Sequence, residues 1–200
     1  ETYDSIDARP DKKGRVKTKM RKQNGALLNQ LRPNLYFGGL FFIGKQQYSH
    51  AYDMLNVYIN ASTHPMFEPY HYAQKDARLP QAAYWAAYCG YKLKDARKIL
   101  NHTYNALKDT THHESMLQLL ATAYQLESDT TRYLQTLDEG FKAYPLSDFF
   151  YPHIVDYYSS QGDWDKALAY TDSALIADST NVTVLLAKST LLLNTADYDG

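Results

Sequence analysis

Asp148-Phe-Phe-Tyr-Pro-His-Ile-Val-Asp-Tyr-Tyr-Ser-Ser-Gln-Gly-Asp-Trp-Asp-Lys-Ala-Leu168 decides the fold, because the block before it carries the same pattern. Residues 148–181 align on residues 114–147: Ile154 falls on Leu120, Val155 on Ala121, Tyr158 on Tyr124, Ala174 on Gly140 and Ser179 on Pro145. A period of about 34 residues is the mark of stacked helical hairpins. Apolar residues recur at spacings of three and four, so each helix has one face to bury. One hairpin cannot bury its face alone, so neighbours must stack, and such a stack offers surfaces for binding more readily than pockets for chemistry.

The motif Gly162-Asp-Trp-Asp-Lys-Ala167 and the residues around it resemble the tetratricopeptide repeat family. At that family's eight characteristic positions the last block holds Tyr151, Ile154, Val155, Tyr158, Ala167, Thr171, Ala174 and Ser179. The block before it holds Leu117, Leu120, Ala121, Tyr124, Tyr133, Leu137, Gly140 and Pro145. Tyr133 stands where the family has a small residue, which predicts a wider helix separation there. Upstream, Gly38, Gly39, Phe42 and Ala51 fit a first repeat over 32–61, and a weaker one centres on Asp95-Ala96 over 80–108. Residues 182–200 read as a partial fifth, and residues 62–79 as an insertion. The resemblance implies an all-α, right-handed superhelical solenoid of antiparallel hairpins. It also implies a non-catalytic role in protein–protein interaction.

The same resemblance nominates an inner wall. It takes Tyr36, Leu40 and Ile43 from the first repeat, Trp85 from the second, Gln118, Thr122 and Gln125 from the third, and Phe149 and Asp156 from the fourth. Neither Lys nor Arg stands among them, so this wall has no clamp for a peptide carboxylate. Apolar at one end and neutral to acidic at the other, it suits a peptide with apolar and basic side chains. The chain is also similar to repeat proteins of the envelope of Bacteroidetes-type bacteria, which implies a periplasmic or cell-surface location, with a cytoplasmic one as the alternative. A carbohydrate-binding scaffold, as in starch-binding outer-membrane lipoproteins, is the alternative; exposed aromatics clustered on 62–79 would mark it.

Charge is unevenly spread. Residues 9–22 hold Arg9, Lys12, Lys13, Arg15, Lys17, Lys19, Arg21 and Lys22 against Asp11 alone, a net of +7 in a chain of net −1. This arm is expected to pack on the acidic body or to meet an anionic partner. It has no interleaved aromatics, which argues against nucleic acid. A leading helix is expected over 17–31, with Met20, Leu27, Leu28 and Leu31 as its apolar side.

Chemistry finds little support. His64, Glu68 and His71 have helical spacing for a metal, but Pro65 and Pro69 break the helix that would align them. His112-His-Glu114 reads as a helix start behind a Thr cap. No phosphate loop, nucleophile elbow or metalloprotease motif is present. Neither a cofactor nor a metal is implied. The single cysteine, Cys89, reads as a small buried hydrophobe. Ala196-Asp-Tyr-Asp-Gly200 repeats the turn at Gly162, so the chain is expected to be a piece of a longer array.

Overall fold

A computed structural model describes residues 8–16 and 18–195; the expected turn at 196–200 and Lys17 lie outside them. Every regular element among the described residues is helical. The chain forms two compact units, residues 1–113 and 114–200. In the first, α1 (Lys19–Gly44) pairs with α2 (Tyr48–Asn60). A 3-10 turn (Pro65–Tyr70) and a short α3 (Tyr72–Lys75) lead to α4 (Leu79–Lys92), which packs on α2. Two short helices, α5 (Ala96–Leu100) and α6 (Thr103–Ala106), return along α4. The second unit holds α7 (His113–Leu126), α8 (Thr130–Ala143), α9 (Phe150–Ser160), α10 (Trp164–Ala177) and α11 (Val182–Thr195). Its helices α8 to α11 pack neighbour to neighbour.

The hairpins share one turn. Gln46, Lys94, Ser128 and Gly162 occupy the left-handed region at φ 57°, 55°, 56° and 70°. In each, the next residue's N–H bonds the carbonyl five residues back: Gln47 to Phe42, Asp95 to Gly90, Asp129 to Tyr124 and Asp163 to Tyr158, all at 2.9 Å. This bond closes the orphan carbonyls at a helix C-terminus. Asp95, Asp129 and Asp163 then cap the following helix, accepting from the backbone N–H of Lys98, Arg132 and Lys166 at 3.1, 3.0 and 3.3 Å. Each cap also pairs with the side chain of that same basic residue. Hydrogen bonds from Lys98, Arg132 and Lys166 hold the three carboxyls below the usual carboxylate range. Their contribution is therefore present above that range and is lost as pH falls through the lowered values.

Three of the four turns put a side chain where glycine fits best. Ser128→Gly is expected to raise stability by about 1 kcal/mol, and Gly162→Ala to lower it by about as much. Urea midpoints of the two variants check both signs.

The turns correct the repeat register. Measured from the left-handed residues, the spacings are 48, 34 and 34 residues, so only the first is expanded. The position equivalent to Ala51, Tyr133 and Ala167 is Ile99, not Ala96. Ala96 is the first residue of α5, whereas Ile99 is fully buried. Its large side chain is accommodated by Gly90 on α4: a Cβ there would stand 2.6 Å from the Ile99 backbone nitrogen. Large and small have exchanged helices. Tyr133, expected to hold its helices apart, is buried in the core.

Two more elements differ from expectation. The leading helix and the first repeat helix are one element, Lys19–Gly44, running through Pro33. The residue before a proline resists the α conformation, but here that residue is Arg32, held by contacts from three sides, described below. The return helix of the second hairpin is broken at Asn101-His102, whose side chains reach back to α2.

Candidate functional site

The nine residues nominated for an inner wall have varied surroundings. Tyr36 is 5% exposed, tilted against Tyr58 at 5.6 Å with its hydroxyl donated to Gln81. Little of it is left for a ligand. Leu40, Ile43 and Trp85 are half-buried. Trp85 sits edge-on to Tyr84, Tyr88 and His112. In the second unit Gln118 and Thr122 are half-buried, and Thr122 spends its hydroxyl on the Gln118 carbonyl. Gln125 and Asp156 are exposed, while Phe149 stacks on His153 at 4.2 Å. None of the nine lines the mostly apolar cavity on the first unit.

That cavity, of about 460 Å³, lies on the first unit between α1, α2 and the insertion. Leu28, Leu31, Arg32, Asn34 and Leu35 of α1 form one wall. Met54, Val57 and Ala61 form the other, and Phe67 closes one side. Gly38 sets the spacing, since a Cβ there would meet the Met54 sulfur at 2.6 Å. Leu27, Leu28, Leu31 and Val57 are 60, 41, 51 and 52% exposed. Aliphatic side chains that reach solvent therefore stand beside an apolar cleft. In the sequence these leucines read only as the apolar side of a leading helix. Nothing local tells which part of that side the insertion covers.

The insertion itself is clasped to α1. His64 caps the 3-10 turn, its Nδ1 accepting from the Met66 N–H at 3.2 Å, and His71 is left-handed at φ 51°. The proline-broken path therefore holds, and among the described residues no three metal-ligating side chains gather. Phe67, Tyr70 and Tyr72 form a ring cluster, Tyr70 on Tyr72 at 5.5 Å and 12°. All three are half-buried rather than exposed. Arg32, 5% exposed, is their anchor. Its guanidinium lies between the rings of Tyr58 and Tyr72, 3.7 and 3.8 Å from their centroids. It pairs with Asp76 at 2.7 Å and donates to the Tyr58 carbonyl at 3.1 Å. The Tyr58 hydroxyl also donates to Asp76, at 2.7 Å, and burial raises that phenol's pKa. The Tyr72 hydroxyl donates to the Asn29 side chain.

Of the basic arm, Lys12, Lys13, Arg15 and Lys22 are exposed and Arg21 is half-buried. Lys17, and the side chain of Lys19, lie outside the described residues. Asp11 folds residues 11–15 into a small loop, accepting from the Lys13 and Arg15 N–H groups and from the Arg15 guanidinium. Cys89 is buried and its thiol is pushed up to about 12, which leaves it unreactive.

A polar cluster joins α2 to the break after α5. The His102 Nε2 faces the Asn56 Oδ1 at 2.7 Å, and Asn101 donates to the Tyr52 hydroxyl at 3.0 Å. Burial lowers the His102 pKa below the ordinary 6.5. The unfolded chain thus takes up the proton first, so stability from a neutral His102 falls as pH drops below about 6.5. His102→Gln is expected to flatten that part of the profile, read as urea midpoints between pH 7 and pH 5.5.

Compared with family models and with curated proteins, the chain matches none. The geometry defines a helical-hairpin protein with an apolar cleft on its first unit.

Proposed function

We propose that the chain is a non-catalytic scaffold of tetratricopeptide-like repeats, stacked as a solenoid, that holds an apolar segment of a partner protein. The apolar cleft between α1, α2 and the insertion carries this reading. Recurrence of one capped turn at 34-residue spacing supports the repeat assignment. The segment is bound as helix-in-groove recognition works, with side chains three and four apart seated between Leu28, Leu31, Leu35, Met54 and Val57. Each fully seated leucine or phenylalanine contributes about 1.5–3 kcal/mol. A periplasmic location goes with this reading and rests on the envelope-protein resemblance alone; fractionation of cells carrying the tagged protein tests it. No described helix is long and apolar enough to cross a membrane.

Selection of displayed amphipathic peptides on the whole chain tests the binding reading. Peptides should emerge whose affinity drops tenfold or more with Leu31→Asp or Val57→Asp, both surface changes, and is unmoved by Gln125→Ala. Failure to select any peptide, or peptides indifferent to both cleft variants, would reject the cleft.

A further inference from the structure

Arg32 also lines a second cavity, of about 380 Å³, together with Asn29, Tyr58, Tyr70, Tyr72, Lys75, Asp76 and Arg78. We propose that it binds a small oxyanion, the carboxylate or phosphate group of a low-molecular-weight ligand.

Its charge balance points that way. Three cations line it against one carboxylate, and that carboxylate is already committed. Asp76 takes the Arg32 guanidinium at 2.7 Å, the Tyr58 hydroxyl at 2.7 Å and the Arg78 backbone N–H at 3.0 Å. Lys75 and Arg78 are exposed and make no ion pair with any described carboxylate, so the lining keeps a surplus of two positive charges. The second observation is independent of charge. The Arg32 Nε–H is the buried side-chain polar atom that has no acceptor among the described residues. Its neighbours on the same guanidinium are both satisfied, and rings cover both faces, so only the plane of the fork remains for an acceptor. A buried donor without an acceptor is costly, and an anionic oxygen is the strongest acceptor it could gain. The cavity's size falls in the range of small-ligand sites, and the stacked Tyr70 and Tyr72 give it an aromatic wall.

The proposal is independent of peptide binding in the apolar cleft. It is tested on the whole chain by titrating sodium benzoate, inorganic phosphate and neutral benzamide while following the Nε–H resonance of Arg32. Benzoate, phosphate or both should shift that resonance saturably, and the two arms tell a carboxylate from a phosphate site. Lys75→Gln and Arg78→Gln, each at an exposed position, should weaken binding tenfold or more, and Lys142→Gln should not. An unmoved resonance overturns the proposal. So does benzamide binding as well as benzoate, or affinity that survives the loss of both Lys75 and Arg78.

Discussion

Gly140→Ala is expected to destabilise the second unit by about 3 kcal/mol, the upper part of the range for forcing a methyl into a packed core. A Cβ at this position would stand 2.2 Å from Cε1 of Phe150, with two more ring atoms within 2.5 Å. Phe150 is fully buried, so its ring cannot swing out to solvent. Ring and helix backbone were fitted to each other, α8 lying against the start of α9 with no side chain between. Phe150→Leu should recover part of the loss when added to Gly140→Ala, although alone it leaves space unfilled; contacting residues couple in this way. The chain has one tryptophan in each unit, so Trp164 emission in a Trp85→Phe background reads the second unit by itself. Equal midpoints for Gly140→Ala and its parent would show that the contact yields freely.

Arg32→Met should cost about 3–5 kcal/mol, because it leaves the Asp76 carboxylate buried without its partner. The pair is deeply placed, with side chains 6 and 10% exposed. Much of the cost is the stranded charge, so Arg32→Met with Asp76→Asn should be markedly less damaging than Arg32→Met alone. Methionine keeps the aliphatic bulk between the Tyr58 and Tyr72 rings but loses both cation–π contacts. Residues 65–76 should then exchange amide hydrogens faster while the buried face of α4 stays protected. If the insertion keeps its protection in the variant, the clasp is not what holds it.

Sequence made the regular half of this molecule legible. Gly162 and Asp163 announce a capped turn directly, since a left-handed position and an N-cap are local chemistry. In the sequence the second hairpin reads three residues out of register because Gly90 and Ile99 exchange the usual sizes across the helix pair; a rule that looks for a small residue on one helix finds Ala96 instead. Continuity through Pro33 was hidden for a different reason. Arg32 is held helical by Tyr58, Tyr72 and Asp76, partners 26 to 44 residues away in sequence. The apolar cleft was out of reach on the same grounds. Leu28 and Leu31 carry the spacing of core residues, and only the path of the insertion decides that they stay open.

Hydrogen exchange on the whole chain, with and without a selected amphipathic peptide at saturation, reads occupancy of the apolar cleft. Binding there predicts added protection in residues 28–35 of α1 and 54–61 of α2, with the second unit unchanged. Protection confined instead to α4 around Trp85, or to α7 and α9 around Thr122 and Asp156, would contradict it and return the binding surface to the inner wall.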